Sequence, residues 1–307
     1  MSADSPPPDV KRLLAERRGA RDARDWDRAD AIRDQLTAMG WEVQDSGSRS
    51  TARPILQPEH VDQRPSQLAG PAELQASIQV VADEHPSDLE RLLRGLAAHP
   101  PSEASWELVI VANAPDFDVA EPVDAAALPD EPIIVPTASR LGWADARTLG
   151  MSRSRAAVTV LIDTSLEPTG DFLTPLLAAF EEPSVGIAGA WGVTSQDGRQ
   201  FEDAPPGEVD AIEGYCLAVR REALRAVGGF DRRFRFYRNA DLDFSFAVRD
   251  AGWRAIRTDP LPLRQHEHRG YTSLPDADRD RLSKRNFYRF LDHWGGRPDL
   301  LLHRRDR

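Results

Sequence analysis

Residues 229–253 read GFDRRFRFYRNADLDFSFAVRDAGW. An aromatic-rich turn leads here into an amphipathic segment of helical spacing. Two acids, Asp241 and Asp243, sit at its start. In an extended chain residues two apart share a face; in a helix they diverge. A carboxylate placed there either decorates a helix N-terminus, where the dipole favours negative charge, or acts as a general base at a cleft. The local chemistry leaves both readings open.

Upstream of this stretch, strands and helices alternate. Ser77–Ala82 (SIQVVA), Trp106–Ala112 (WELVIVA), Pro132–Pro136 (PIIVP), Ala157–Asp163 (AVTVLID) and Val185–Ala190 read as strands. The second is an almost unbroken apolar run, as suits a parallel strand buried on both faces. Helices are expected from Pro86 to Leu96, Ala144 to Ser154 and Phe172 to Phe180. The alternation predicts an α/β fold with a mostly parallel, Rossmann-like sheet. In such sheets ligands bind beyond the carboxyl ends of the strands, which singles out Asp163.

The N-terminal quarter differs in composition. Residues 1–8 form a Pro-rich tail, expected to be disordered. Residues 9–42 read as a small α-helical hairpin. Val10, Leu13 and Leu14 make one apolar stripe; Trp26, Ala29, Ile32, Leu36 and Met39 make another. Asp25 is placed to cap the second helix and Gly40 to end it. Arg17, Arg18, Arg21 and Arg24 would form a basic patch, read as a solvated helical face before an RNA contact. Residues 43–72, with Pro54, Pro58, Pro65 and Pro71, read as a linker without regular structure. The main domain is expected over residues 73–300.

Composition narrows the function. With 307 residues and 40% apolar side chains the chain can fill a sizeable core. A net charge of -11 argues against a general nucleic-acid binder. The single cysteine, Cys216, excludes an internal disulfide and a Cys-rich zinc site. No apolar run approaches the roughly 18 residues that cross a bilayer, and no signal peptide opens the chain. These features lead to the expectation of a cytoplasmic protein.

Other motifs each have two readings. Asp163-Thr164-Ser165, at a strand end, either holds a divalent metal on a diphosphate or caps a turn. His266-Glu267-His268 offers metal ligands in kind, but the spacing is common and a solvated loop is the plainer reading. Trp191, Tyr215 and Trp253 are placed either to stack on a sugar or to fill the core.

Taken together, the motifs resemble the family 2 glycosyltransferases. The residues that carry the resemblance are the G-G-F-D-x-x-F-x-x-Y-x-x-x-D-x-D-x-x-x-x-x-R-x-A-G-W pattern from Gly228, with GYCLAVRRE (214–222), LGWADARTLG (141–150), VTVLID (158–163) and SKRNFYRFLDHW (283–294). The resemblance implies a nucleotide-diphospho-sugar transferase fold. It also implies inverting transfer of a sugar from a nucleoside diphosphate donor to an acceptor hydroxyl. Asp241 then matches the catalytic base. Asp163 matches the first acid of the metal-binding D-x-D, and His268 falls near a histidine used beside the metal, so Asp163 and His268 are the expected ligands of a divalent cation, Mn or Mg. Donor binding falls to Asp83, Asn113, Asp163 and Ser165, and acceptor binding to Trp191, Gly214, Tyr215 and Asp243.

Several positions depart from the family pattern. Ser165 replaces the last acid of D-x-D, and Ala240 replaces the Glu before the base. Asp83-Glu84 stands where a Tyr-Asn pair is usual. Ala112, followed by Asn113, stands for an Asp, and Thr148 for an Asn. The acids at 83 and 84 would repel a diphosphate unless turned away. These departures support an alternative, a catalytically degenerate binding or scaffold module. Residues 17–46 resemble the C-terminal tail of cysteinyl-tRNA synthetase, which implies a short element docking on protein or RNA.

Overall fold

The computed structural model describes residues 7–23, 25–39, 41–46, 49–54 and 66–305. They divide into two compact units, 1–65 and 66–307.

The first unit holds two helices, α1 (Pro8–Asp22) and α2 (Trp26–Ala38), and an antiparallel pair, β1 (Trp41–Ser46) and β2 (Arg49–Pro54). Val10, Leu13, Leu14, Ile32, Leu36 and Ala52 form its core, with Trp41 and Val43 against it. Asp25 accepts a hydrogen bond from the Arg28 N–H at 3.2 Å, a side-chain cap on α2. Three expectations are corrected. The start of the supposed linker is a hairpin, because Val43 and Ala52 supply apolar contacts that close the small core. Trp26 is 58% exposed and Met39 is 39% exposed, so the second stripe is narrower than its spacing suggests. Arg17 is buried, which breaks up the expected basic patch. Arg24, Gly40, most of the Pro-rich tail and residues 55–65 lie outside the described residues.

The second unit is built on an eight-stranded sheet. In chain order its elements begin with β3 (Leu74–Ala82), α3 (Pro86–Ala98), β4 (Trp106–Ala112), α4 (Ala120–Ala126), β5 (Ile133–Pro136), α5 (Trp143–Met151) and β6 (Ala156–Ile162). Then follow β7 (Leu166–Pro168), α6 (Leu173–Ala178), β8 (Val185–Gly189), β9 (Gly192–Ser195), β10 (Phe201–Asp203), β11 (Gly207–Glu208) and β12 (Ala211–Ile212). The chain ends with β13 (Cys216–Arg220), α7 (Arg221–Val227), α8 (Ala240–Asp250), β14 (Arg254–Arg257), β15 (Leu263–Gln265), α9 (Arg269–Thr272), α10 (Asp276–Trp294) and α11 (Leu302–Arg305). The strand order is β11-β14-β8-β13-β6-β3-β4-β5. β13 runs against both its neighbours and β11 against β14; the other pairs are parallel.

Each face of the sheet carries a core. Ile78, Val80, Leu108, Ile110, Val160 and Ala218 face α3 and α6. Leu161, Leu217 and Val219 face α5, α7, α8 and α10. The odd residues of β3 on this second face are Ser77 and Gln79, both buried. Gln79 lies against Gly150 of α5, where an added Cβ would come within 2.2 Å of its side chain. Residues 67–70, read as linker, are bound to this unit. Arg221 donates to the carbonyls of Gln67 and Gly70 with one nitrogen and to those of Ser154 and Ala156 with another. Among the described residues no helix is long and apolar enough to cross a membrane.

Candidate active site

The parallel strands bring their carboxyl ends to one edge. β3 delivers Asp83 and Glu84 there, β4 delivers Asn113, and β6 delivers Asp163. Because β13 is reversed, its start adds Glu213, Gly214 and Tyr215 to the same edge. The Asp163 N–H donates to the Tyr215 carbonyl at 2.8 Å, which joins the two strand ends. Two cavities open there and share Trp143, Asp163, Tyr237 and His268 as a common wall.

The smaller cavity, about 240 Å³, lies over β3 and β6. Asp83, Asp163, Ser165 and His268 all line it. Four of its acids, Asp83, Glu84, Asp88 and Asp163, are engaged by protein groups. Glu84 is ion-paired with Arg140, which also donates to the Asp83 carbonyl at 2.9 Å. The Asp83 carboxylate accepts from Asn113. Burial raises the Asp83 carboxyl above its ordinary range, and the Asn113 hydrogen bond only partly opposes this. Buried Asp88 is held by Arg269 and Arg91. Arg235 also lines this cavity and makes no ion pair among the described residues. The acids at 83 and 84 are therefore turned onto protein donors. Asn113 does not line the cavity: it is 1% exposed and clamps Asp83, Thr137 and the Leu141 backbone together.

Asp163 has every oxygen engaged. Ser165 folds back so that its N–H and hydroxyl both donate to Oδ1, at 2.9 and 2.7 Å. Arg147 donates to Oδ2 at 3.3 Å, and His268 Nε2 stands 3.6 Å from the same atom. Burial alone would raise this carboxyl. The neighbouring His268 imidazole, with Arg147 and Ser165, outweighs burial and holds it well below the usual range. In return Asp163 raises the His268 imidazole, against the effect of burial. The ring stacks on Tyr237, with centroids 4.8 Å apart, and its Nδ1 is buried without a hydrogen-bond partner. Asp163 Oδ2 and His268 Nε2 lie 3.6 Å apart at the junction of the cavities and are of the kinds Mn and Mg accept, though here they face each other. The Ser165 hydroxyl is committed to Asp163. Elsewhere, Asp231, Asp243 and His293 bring three ligand-type atoms within 4.8 Å of one another. That group lines neither cavity; Arg233 pairs with Asp231, and hydrogen bonds from α10 engage Asp243.

The larger cavity measures about 530 Å³. Asn239, in the left-handed region at φ 63°, turns the chain into α8. Asp241 then falls in the first helical turn and faces this cavity. Its Oδ2 accepts from the Gly214 N–H at 2.8 Å and its Oδ1 from the Leu242 N–H at 2.9 Å. Burial raises its carboxyl, and the two N–H donors and Arg238 oppose this. Asp243, half a helical turn on, points the other way. It is buried and accepts from His293 Nδ1 at 2.9 Å and Trp294 Nε1 at 2.8 Å. The two acids diverge as a helix requires, so Asp243 anchors α10 and does not reach the cavity. Gly214 and Tyr215 line the cavity. Trp191 does not; it packs edge-on against Tyr215, behind the wall.

Four contributors were missed from sequence. Trp143 and Arg147 stand within the LGWADARTLG stretch, and Tyr237 within the aromatic turn. Glu213 immediately precedes GYCLAVRRE. Half-buried and next to Asp241, it is pushed up to about 7, chiefly by burial and then by the charges of Asp241 and Asp203. Nothing in a single sequence distinguishes it from any other acid between two short strands.

Comparison with known proteins gives a consistent picture. The model of the cysteinyl-tRNA ligase anticodon binding domain matches residues 4–53. Pre-mycofactocin glycosyltransferase of Mycobacterium tuberculosis is 25% identical over 281 residues, covering 85% of this chain and 55% of the relative. The chain thus spans about half the length of that relative. Among solved structures, GalNAc-T7 with UDP, GalNAc and Mn2+ superposes with a TM-score of 0.61 at 14% identity, over 74% of this chain and 50% of that one. The mannosyltransferase PcManGT of Pyrobaculum calidifontis, in complex with GDP-Man and Mn2+, gives 0.51 at 19% identity, over 70% and 64%. Both share the fold. The glycosyl transferase family 2 model matches residues 77–261, more than half of the 307, and the chain belongs to that family.

Proposed function

We propose that this protein transfers a sugar from a nucleoside diphosphate donor to an acceptor hydroxyl, with Asp241 as base. The observation that carries this reading is the placement of Asp241. Its carboxylate is fixed by the Gly214 N–H and faces a large cavity, which meets an arginine-lined one along a wall containing Asp163. The donor's diphosphate would lie in the smaller cavity, toward Arg235, with Asp83 on the nucleoside side. The acceptor would enter the larger cavity beside Tyr215. Its oxygen attacks the anomeric carbon as the bond to the diphosphate breaks. The hydroxyl proton passes to Asp241, and the nucleoside diphosphate leaves. Attack opposite the leaving group inverts the anomeric centre.

Asp163 and His268 would hold a divalent cation, Mn or Mg. Such an ion would neutralise charge on the departing diphosphate. Asp163 is kept ionised for that task, and Arg147 shares it from the protein side.

The reading is tested with Asp241→Asn. Transfer from UDP- and GDP-sugars should fall by about 10²- to 10⁴-fold, the usual contribution of a general base, while nucleotide affinity holds. Undiminished transfer would remove Asp241 from the role. One observation favours a scaffold instead: the Ser165 hydroxyl is spent on Asp163. Calorimetry with UDP- and GDP-sugars, with and without Mn, separates the readings, since a scaffold binds none of them. We read residues 9–42 as a docking element for RNA or protein, a reading supported by their likeness to the ligase domain. A gel shift with bulk tRNA, using chains with and without residues 1–53, tests the RNA arm.

A further inference from the structure

The transfer reading leaves two acids of the larger cavity, Asp203 and half-buried Glu213, without a task. Glu213 donates its N–H to the Trp191 carbonyl at 2.9 Å, and the next peptide N–H, that of Gly214, holds Asp241. One short backbone segment therefore carries one acid and fixes the other. Gly214 lies close to Asp241: a Cβ there would meet it at 3.4 Å, an ordinary van der Waals contact. The Glu213 carboxyl is half-buried and makes no hydrogen bond or ion pair among the described residues. Withdrawing a carboxyl from water without a partner is unfavourable, and Asp203 and Asp241 nearby make it more so. Of the basic residues lining this cavity, Arg199, Arg238 and Lys284 are exposed and His268 faces Asp163. Its walls include the rings of Trp143, Phe201, Tyr215, Tyr237 and Phe287. A ligand that presents hydroxyl donors beside an apolar face fits such a wall. A ligand with negative charge at this point does not.

We propose that Glu213 holds a second hydroxyl of the acceptor, beside the one Asp241 deprotonates, and thereby selects a carbohydrate over an acceptor with a single isolated hydroxyl. The proposal rests on the larger cavity being the acceptor site. It gives the unpartnered carboxyl its donor, and it uses the rings for the apolar face of the sugar.

The test measures binding apart from turnover. Saturation-transfer NMR on the full chain with UDP and GDP present would use a panel of methyl glycosides and disaccharides, and a serine- and threonine-containing peptide as the contrast. At least one glycoside should bind the wild type. Glu213→Ala should weaken it by about tenfold or more, the effect of losing a hydrogen bond to a carboxyl, and Glu213→Gln by less, since its carbonyl still accepts. The proposal is overturned if no glycoside binds, if the peptide binds in their place, if Glu213→Ala leaves affinity unchanged, or if it weakens UDP and GDP equally. Failure of the transfer reading appears elsewhere, as glycoside binding that depends on Glu213 with no sugar transferred from any donor.

Discussion

Asp241 and Asp243 are two positions apart in sequence and do unrelated work. The first faces a cavity; the second ties down a helix. Glu213 is a third acid whose proton affinity the fold raises. Its folded value, about 7, lies above its ordinary 4.5, so the folded protein holds this proton more tightly than the unfolded chain. The ionised group therefore costs stability increasingly as pH rises from 4.5 toward 7, and by a constant amount above that. Glu213→Gln should match the wild-type melting temperature in acid, exceed it by a margin that widens up to about pH 7, and keep that margin beyond. A difference independent of pH would refute the assignment. Motif register pointed to Asp241 and Asp163, and both line the larger cavity. That register could not supply Glu213, whose character comes from burial beside acids of distant segments.

At the scale of elements, α10 illustrates what positions the site. Ser283, Lys284 and Phe287 on this helix line the larger cavity. Asn286 donates to the carbonyls of Phe236 and Arg238, at 2.6 and 2.9 Å, and so holds the turn that leads into α8. Asp243 fastens the far end of α10 through His293 and Trp294. Asp243→Ala leaves the buried Trp294 N–H without an acceptor, and should cost about 1–3 kcal/mol in denaturant unfolding. It should weaken acceptor binding and spare nucleotide binding. Loss of nucleotide affinity alone would count against this division. A second element-scale expectation concerns α5. Gly150→Ala would drive a methyl into Gln79, with approaches of 2.2 to 2.5 Å. It should destabilise by about 1–3 kcal/mol, the usual cost of overpacking. The strands of the first half were legible from apolar runs, because parallel strands buried on both faces leave that signature. The short strands β9 to β12 were not, because two to four residues carry no readable period. The β1–β2 hairpin was hidden among the polar and Pro-rich residues around it.

On the scale of the whole molecule, the fold class followed from the alternation of strands and helices, and the position of the site followed from the strand-end rule. The boundary at residue 66 did not. Gln67 and Gly70 belong to the second unit through Arg221, whose carbonyl partners are far apart in sequence. Residues 66–307 should therefore fold without the N-terminal unit. Calorimetry of that fragment should give one cooperative transition close to the matching transition of the full chain; a fragment lacking such a transition would refute the boundary.

The reversed strand β13 also sets an order of assembly. β5, β4, β3 and β6 pair using only residues before Asp163. β8 reaches them only through β13, whose partners lie on both sides of it. As the chain leaves the ribosome, the half bearing Asp83 and Asp163 can close first. β6 then waits with a bare edge while more than fifty residues are made. Only the arrival of Cys216–Arg220 covers that edge, and the same arrival brings Glu213 and Gly214 into place. The step that protects the nascent sheet from sticking to other chains is thus also the step that builds the cradle for Asp241.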